Sequence, residues 1–120
     1  MNPPEELLKS TAEKIGVGKH TRHVFLCLGP SCCTPEVGEA AWNALKKAIK
    51  DENLTTCART KVGCLRICCE GPTMVVYPEG TYYRNMTAER IAVFGKKHLV
   101  EGEPIRDWIF AENPLGKPQE

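Results

Sequence analysis

No stretch of this chain is apolar for long enough to cross a bilayer. The longest purely apolar run, Val24 to Leu28, is five residues against the ~20 that a spanning helix needs. Charge of one sign is lacking too: sixteen Lys and Arg stand against fifteen Asp and Glu, a net charge of +1. That balance gives no global footprint for nucleic acid or for a membrane surface. Among the glycines there is neither a G-x-G-x-x-G order nor a P-loop, so no phosphate cradle is expected. No Ser-His-Asp set and no carboxylate pair can be argued, and an enzyme is not expected. The first twenty residues hold Glu5, Glu6 and Glu13 and no apolar block, which predicts no secretory leader and a cytoplasmic protein. Finally, no C-x-x-C occurs. Its absence weighs against thioredoxin-type disulfide exchange and against the closely spaced pairs of most structural zinc sites.

What is present is a composition suited to a core. At 42% hydrophobic and 26% charged residues, the chain is too apolar to be disordered. Its 120 residues suit one compact domain that buries roughly two-thirds of its surface. Seven cysteines exceed what packing asks for. In a reducing compartment they suggest metal or redox chemistry before disulfides.

Residues 1–22 read as a helical extension and linker, and 23–120 as the domain proper. Asn2 and Pro3 suit a helix start, with Leu8, Ala12 and Ile15 on one face, and Gly16, Gly18 and Lys19 follow as linker. His23–Leu28 reads as a strand ended by Gly29 and Pro30. Thr34 caps a helix that opens with Pro35 and Glu36 and runs to about Asn53 on Val37, Ala41, Ala44, Leu45, Ala48 and Ile49. Thr55–Val62 is the next strand. Met74–Tyr77 and Thr81–Tyr83 form a hairpin around Pro78-Glu79-Gly80. Thr87 caps a last helix, with Met86 and Ile91 as a hydrophobic staple, a buried face of Ile91, Phe94 and Leu99, and Gly95 as a weak point. Ile105, Trp108, Ile109 and Phe110 are too apolar to float free. They predict a docked tail, as a covered sheet edge, a core contact or a dimer interface. Strands interleaved with helices predict an α/β fold, thioredoxin-like, with a small mixed β-sheet and flanking helices.

Four cysteines fall into two loop-placed pairs, Cys27 with Cys32 and Cys64 with Cys68, each after a strand. Four thiolates suit a [2Fe–2S] cluster, two to each iron, or a structural zinc; the wide spacings favour the larger object. Such a cluster carries a charge of about −2 oxidised and −3 reduced. The helix dipole behind Thr34 should then aim at Cys32, while Gly29 and Gly63 let the backbone approach the sulfurs. Cys33 and Cys69 adjoin these ligands and could replace them by a one-residue shift. Cys57, inside a strand, reads as packing. His20, His23 and His98 read as surface or satisfied residues. Lys61 and Arg66 flank the second pair and could meet an acidic partner, or could simply be solvated.

The residues resemble a known family, the thioredoxin-like [2Fe–2S] ferredoxins of Shethna type. The resemblance rests on His23-Val24-Phe25-Leu26-Cys27, Ser31-Cys32, Gly63-Cys64-Leu65-Arg66-Ile67-Cys68, the run from Gly71 to Tyr83, and His98 to Pro104. It covers roughly residues 23–110. It implies a one-electron carrier, usually a homodimer, that holds a [2Fe–2S] cluster with Cys27, Cys32, Cys64 and Cys68 and serves reductase or acceptor proteins. The four-residue gap between Cys27 and Cys32 is similar to that of the small iron–sulfur subunit of respiratory complex I and NAD-linked hydrogenases. That subunit is an alternative reading, as is a zinc module. The chain lacks most of the subunit's long N-terminal helical region, which favours the free-standing carrier.

Overall fold

The computed structural model describes residues 3–29, 32–67 and 69–115. Asn2, Pro30, Ser31 and Cys68, all used above, lie outside them. In chain order the elements are α1 (Pro3–Ile15), β1 (Arg22–Cys27), α2 (Pro35–Asp51), β2 (Cys57–Val62), β3 (Met74–Tyr77), β4 (Thr81–Tyr83), α3 (Ala88–Phe94) and β5 (Ile109–Glu112). The last helix continues as a π-helical segment, Gly95–Val100, and a 3₁₀ turn, Arg106–Trp108, leads into β5.

The strands form one mixed sheet in the order β2-β1-β3-β4-β5. β1 and β2 run parallel, with Arg22 opposite Cys57 and Cys27 opposite Val62. The other pairings are antiparallel. A parallel pair needs a crossover, and α2 supplies it. Val24 and Leu26 of β1 pack with Ala41 and Leu45 of α2 and with Met74, Val76, Ile91 and Phe94 in one core. This is the expected α/β, thioredoxin-like layout.

Local chemistry sets the element ends. The Thr34 hydroxyl accepts the Val37 N–H at 3.3 Å, and Pro35 opens α2. Asn53 takes a left-handed φ of 52°, and the Leu54 N–H returns to the Ile49 carbonyl. That terminal turn ends α2 at Asp51, two residues before the expected Asn53. β2 starts at Cys57 instead of Thr55 because the Cys57 N–H still closes a turn on the Leu54 carbonyl. Thr87 caps α3 through its backbone, without the side-chain hydrogen bond that the sequence suggests. Gly95 is the point where α2 comes close: a Cβ there would lie 2.8 Å from that of Ala48.

Two features go beyond the sequence reading. The apolar tail forms a fifth strand against β4, with a bulge between Tyr82 and Tyr83. The π-helical segment carries His98 to full burial. There its Nδ1 accepts from the Tyr83 hydroxyl and its Nε2–H donates to Glu79, both at 2.6 Å. The Tyr83 hydroxyl also accepts the Ile105 N–H at 3.1 Å, and Arg22 pairs with Glu79 at 2.9 Å. By contrast α1 contributes no buried residue, and Leu8 and Ile15 on its expected face are exposed.

Candidate metal centre

Cys27 is the last residue of β1 and is 2% exposed. The ladder fixes it, since its N–H bonds the Thr73 carbonyl at 2.9 Å just before β3 begins. Its sulfur is faced by the N–H groups of Gly29 and Leu65 and by the side chains of Cys32 and Thr73, which together favour its thiolate. Leu65 follows Cys64, so the second cysteine loop lies against the first. Cys32 is held by its own N–H on the Gly29 carbonyl at 2.9 Å. Its sulfur takes the Thr73 N–H at 3.4 Å and lies 3.5 Å from the Thr73 hydroxyl. Cys64 is exposed, and its sulfur accepts the Arg66 N–H at 3.1 Å. Arg66 makes that bond from a left-handed φ of 66°.

Two glycines make the close approach possible. A Cβ on Gly29 would lie 1.9 Å from the Gly63 carbonyl oxygen, and one on Gly71 would lie 2.3 Å from the Cys32 sulfur. Gly63 itself has open space around its Cβ position. Of the two glycines singled out in the sequence, only Gly29 is sterically required.

The amides on the Cys32 sulfur differ from the expected ones. The sequence points to the α2 N-terminus, but Thr73 supplies the N–H to Cys32, while the Val37 N–H in the first turn of α2 is taken by the Thr34 hydroxyl. Thr73, buried ahead of β3, is the functional residue that the sequence reading missed. Its signal was its place after Gly71-Pro72.

Electrostatics follow the same pattern. Burial pushes the Cys27 thiol up, but the N–H donors of Gly29 and Leu65 and the contacts from Cys32 and Thr73 outweigh it, so Cys27 sits below the ordinary thiol range. Burial dominates at Cys32 and holds it above that range despite Thr73. Hydrogen bonds that favour the thiolate are what a metal ligand needs.

The remaining cysteines lie elsewhere. The Cys33 sulfur packs toward Gly38 of α2, 3.1 Å from where a Cβ would be, and burial raises its thiol, helped by Cys32 and Cys27. Cys69 is exposed in a groove with Ile67, Glu70, Arg84 and Phe110. Cys57 sits half-buried opposite Arg22, at the other end of the parallel pair from Cys27. Two of the three histidines are satisfied: His23 stacks on Phe25 and bonds Thr60, and His98 is in the buried network. Among the described residues, no three Cys, His, Asp or Glu side chains gather to hold one ion. A two-iron centre takes its thiolates two to an iron, and the Cys27 and Cys32 side chains meet closely enough to offer such a pair. Cys64 belongs to the second pair, whose other member, Cys68, is outside the described residues. The donor set is therefore all sulfur with main-chain N–H groups aimed at it, which suits an iron–sulfur cluster.

No family model matches the sequence. The chain is 31% identical over 106 residues to a 2Fe-2S ferredoxin of Aquifex aeolicus, an alignment spanning 81% of this chain and 93% of that protein. It is 43% identical over 44 residues to a 2Fe-2S ferredoxin of Clostridium pasteurianum, covering 37% of this chain and 43% of the relative. Its fold is similar to the solved thioredoxin-like [2Fe-2S] ferredoxin of Aquifex aeolicus. The TM-score is 0.70 at 29% identity, over 82% of this chain and 96% of that one.

Proposed function

This chain belongs to the thioredoxin-like [2Fe–2S] ferredoxins, and from that premise we propose that it is a one-electron carrier whose cluster is held by Cys27, Cys32, Cys64 and Cys68. When bound, a [2Fe–2S] cluster supplies a one-electron couple. The chain's own residues hold and tune it. The Cys27 and Cys32 sulfurs lie against Gly29 and Gly71, where the N–H groups of Gly29, Leu65 and Thr73 stabilise negative charge on sulfur. The exposed Cys64 loop leaves one side open to a partner. Cys32 rather than Cys33 is the first-loop ligand in this reading, supported by the Cys32 sulfur meeting Cys27 while that of Cys33 packs on α2.

The single observation that carries the proposal is the convergence on Cys27 of Cys32 and of the loop bearing Cys64. The protein works without turning over a substrate of its own, exchanging electrons with a reductase or acceptor protein. In this reading it acts in the cytoplasm as a homodimer. Among the described residues, no helix is long and apolar enough to cross a membrane. Metal and sulfide analysis with electron spin resonance before and after dithionite tests the proposal. Iron and acid-labile sulfide in equal amounts, with a signal that appears on reduction, are expected. One zinc without sulfide overturns it, and a dimer mass in sedimentation tests the assembly.

A further inference from the structure

Several cations of this chain are neutralised locally. Arg22 is paired with Glu79, Lys47 with Asp51, Lys97 with Glu103 and Arg106 with Glu112. Lys46, Lys50, Arg59 and Lys61 are different: none forms an ion pair with a described residue, yet they stand together. Arg59 and Lys61 are on one side of β2, and both lie over the Trp42 ring of α2, at 5.5 and 5.8 Å from its centre. Lys46 lines two adjoining grooves, one shared with Lys50 and Arg59 and the other with Trp42 and Lys61. Among the described residues, the only carboxylate lining either groove is that of Glu39. Four unpaired cations against one acid form a face of one sign on a chain whose net charge is only +1.

This face reaches the cysteine loops. Lys61 is followed by Val62, whose carbonyl accepts the Leu28 N–H at 2.9 Å. Leu28, next to Cys27, lines the same groove as Lys61. Gly63 then meets Gly29, and the exposed Cys64 follows. A molecule seated on the basic face therefore abuts the end of the sheet where the sulfurs converge.

We propose that Lys46, Lys50, Arg59 and Lys61, lining the two adjoining grooves, are the docking face for a carboxylate-rich patch on the protein that exchanges electrons with this chain. The inference rests on the electron-carrier reading above. Charge complementarity argues for the occupant. Thiolates at the end of the face repel an acidic partner, and cations beside them reverse the sign at the point of contact. Exposed charges of this kind steer encounter and release without demanding a large buried area, which suits a transient electron-transfer complex. Nucleic acid is disfavoured because binding single strands relies on stacking, and Arg59 and Lys61 already cover the one aromatic ring here.

The test uses the coloured holoprotein and isothermal titration at low salt, with a polyglutamate peptide and an oligothymidylate of equal charge as probes. Arg59→Glu/Lys61→Glu is expected to weaken polyglutamate binding tenfold or more, roughly the lower end of what steering fields contribute. Lys46→Glu/Lys50→Glu, on a separate element, is expected to do the same. Lys9→Glu/Lys14→Glu on α1, with the same change in net charge, should cost less than about twofold, since steering depends on local fields. Equal losses in the α1 variant, undiminished binding in both face variants, or tighter binding of oligothymidylate would each overturn the proposal. Visible absorbance is read in every sample. A bleached wild-type preparation refutes the carrier reading, whereas a coloured one that ignores polyglutamate refutes only the docking face.

Discussion

Replacing Gly29 with alanine should damage the site, and the same change at Gly63 should not. A Cβ at position 29 would fall 1.9 Å from the Gly63 carbonyl oxygen, where real contacts essentially never come under 3.0 Å. The two loops must therefore part by at least about 1.1 Å. Gly63 precedes Cys64 and Leu65, so that movement carries the Leu65 N–H away from the Cys27 sulfur. Forcing a group into a packed contact costs about 1–3 kcal/mol. A lost hydrogen bond to a charged acceptor costs about 1.5–3 kcal/mol. Together they remove about 2.5–6 kcal/mol from a native state worth about 5–15, which lowers the melting temperature by roughly 10–24 °C for a domain of this size. At Gly63 a Cβ meets nothing within 4 Å, so Gly63→Ala should stay within about 0.5 kcal/mol of wild type. Melting of both variants is followed by visible absorbance for the centre and by far-ultraviolet circular dichroism for the fold. A Gly29→Ala protein that melts and bleaches like wild type refutes the close-approach argument, as does a Gly63→Ala protein that fails equally.

Other substitutions probe the remaining assignments. Serine at Cys27, Cys32, Cys64 or Cys68 should shift or abolish the visible spectrum, while serine at Cys33, Cys57 or Cys69 should leave it nearly unchanged; loss of colour in Cys33→Ser with Cys32→Ser intact would reverse the first-loop assignment. Tyr83→Phe strips the partners from buried His98 Nδ1 and from the Ile105 N–H, an expected cost of about 2–4 kcal/mol in urea unfolding with the spectrum unaltered. A loss under 1 kcal/mol would show that water or rearrangement satisfies these groups. Burial lowers the His98 pKa and outweighs Glu79, so the folded state resists a proton that the unfolded state accepts below about pH 6.5. His23, lowered by burial and by His20, acts in the same sense. Burial opposes the charge on Glu79, but His98, its own backbone and Arg22 prevail and keep its pKa low. All three contributions are present near pH 7 and are lost as pH falls, first below about 6.5 and then through the carboxylate range. Urea unfolding at pH 7.5, 5.5 and 4 should show a steady decline, and a flat profile would count against neutral burial of His98.

Much of this molecule is legible in the chain because local rules and tertiary packing agree. Thr34-Pro35 opens α2, Ala41, Leu45 and Ile49 bury its face, and the β3–β4 hairpin surrounds Pro78-Glu79-Gly80. β5 escaped notice because four residues show too little alternation, and their pairing with β4 is a long-range event. Glu79 is a turn residue by sequence, and nothing local shows that it reaches the imidazole of a helix nineteen residues on. The cysteine spacing pointed to loops at one end of the sheet. Which amides face each sulfur depended on the Thr73 backbone and on the Gly29–Gly63 contact, both products of the assembled sheet.

Among the described residues β2 is bonded to β1 alone, so it forms an edge of the sheet, a template on which another chain could add a strand. Arg59 and Lys61 sit along that edge, and like charges discourage two copies from zipping together there. Alanine at these positions would strip away this protection and invite self-association that mimics lost partner affinity. Glutamate keeps a repelling charge on the strand, which makes reversal the cleaner perturbation.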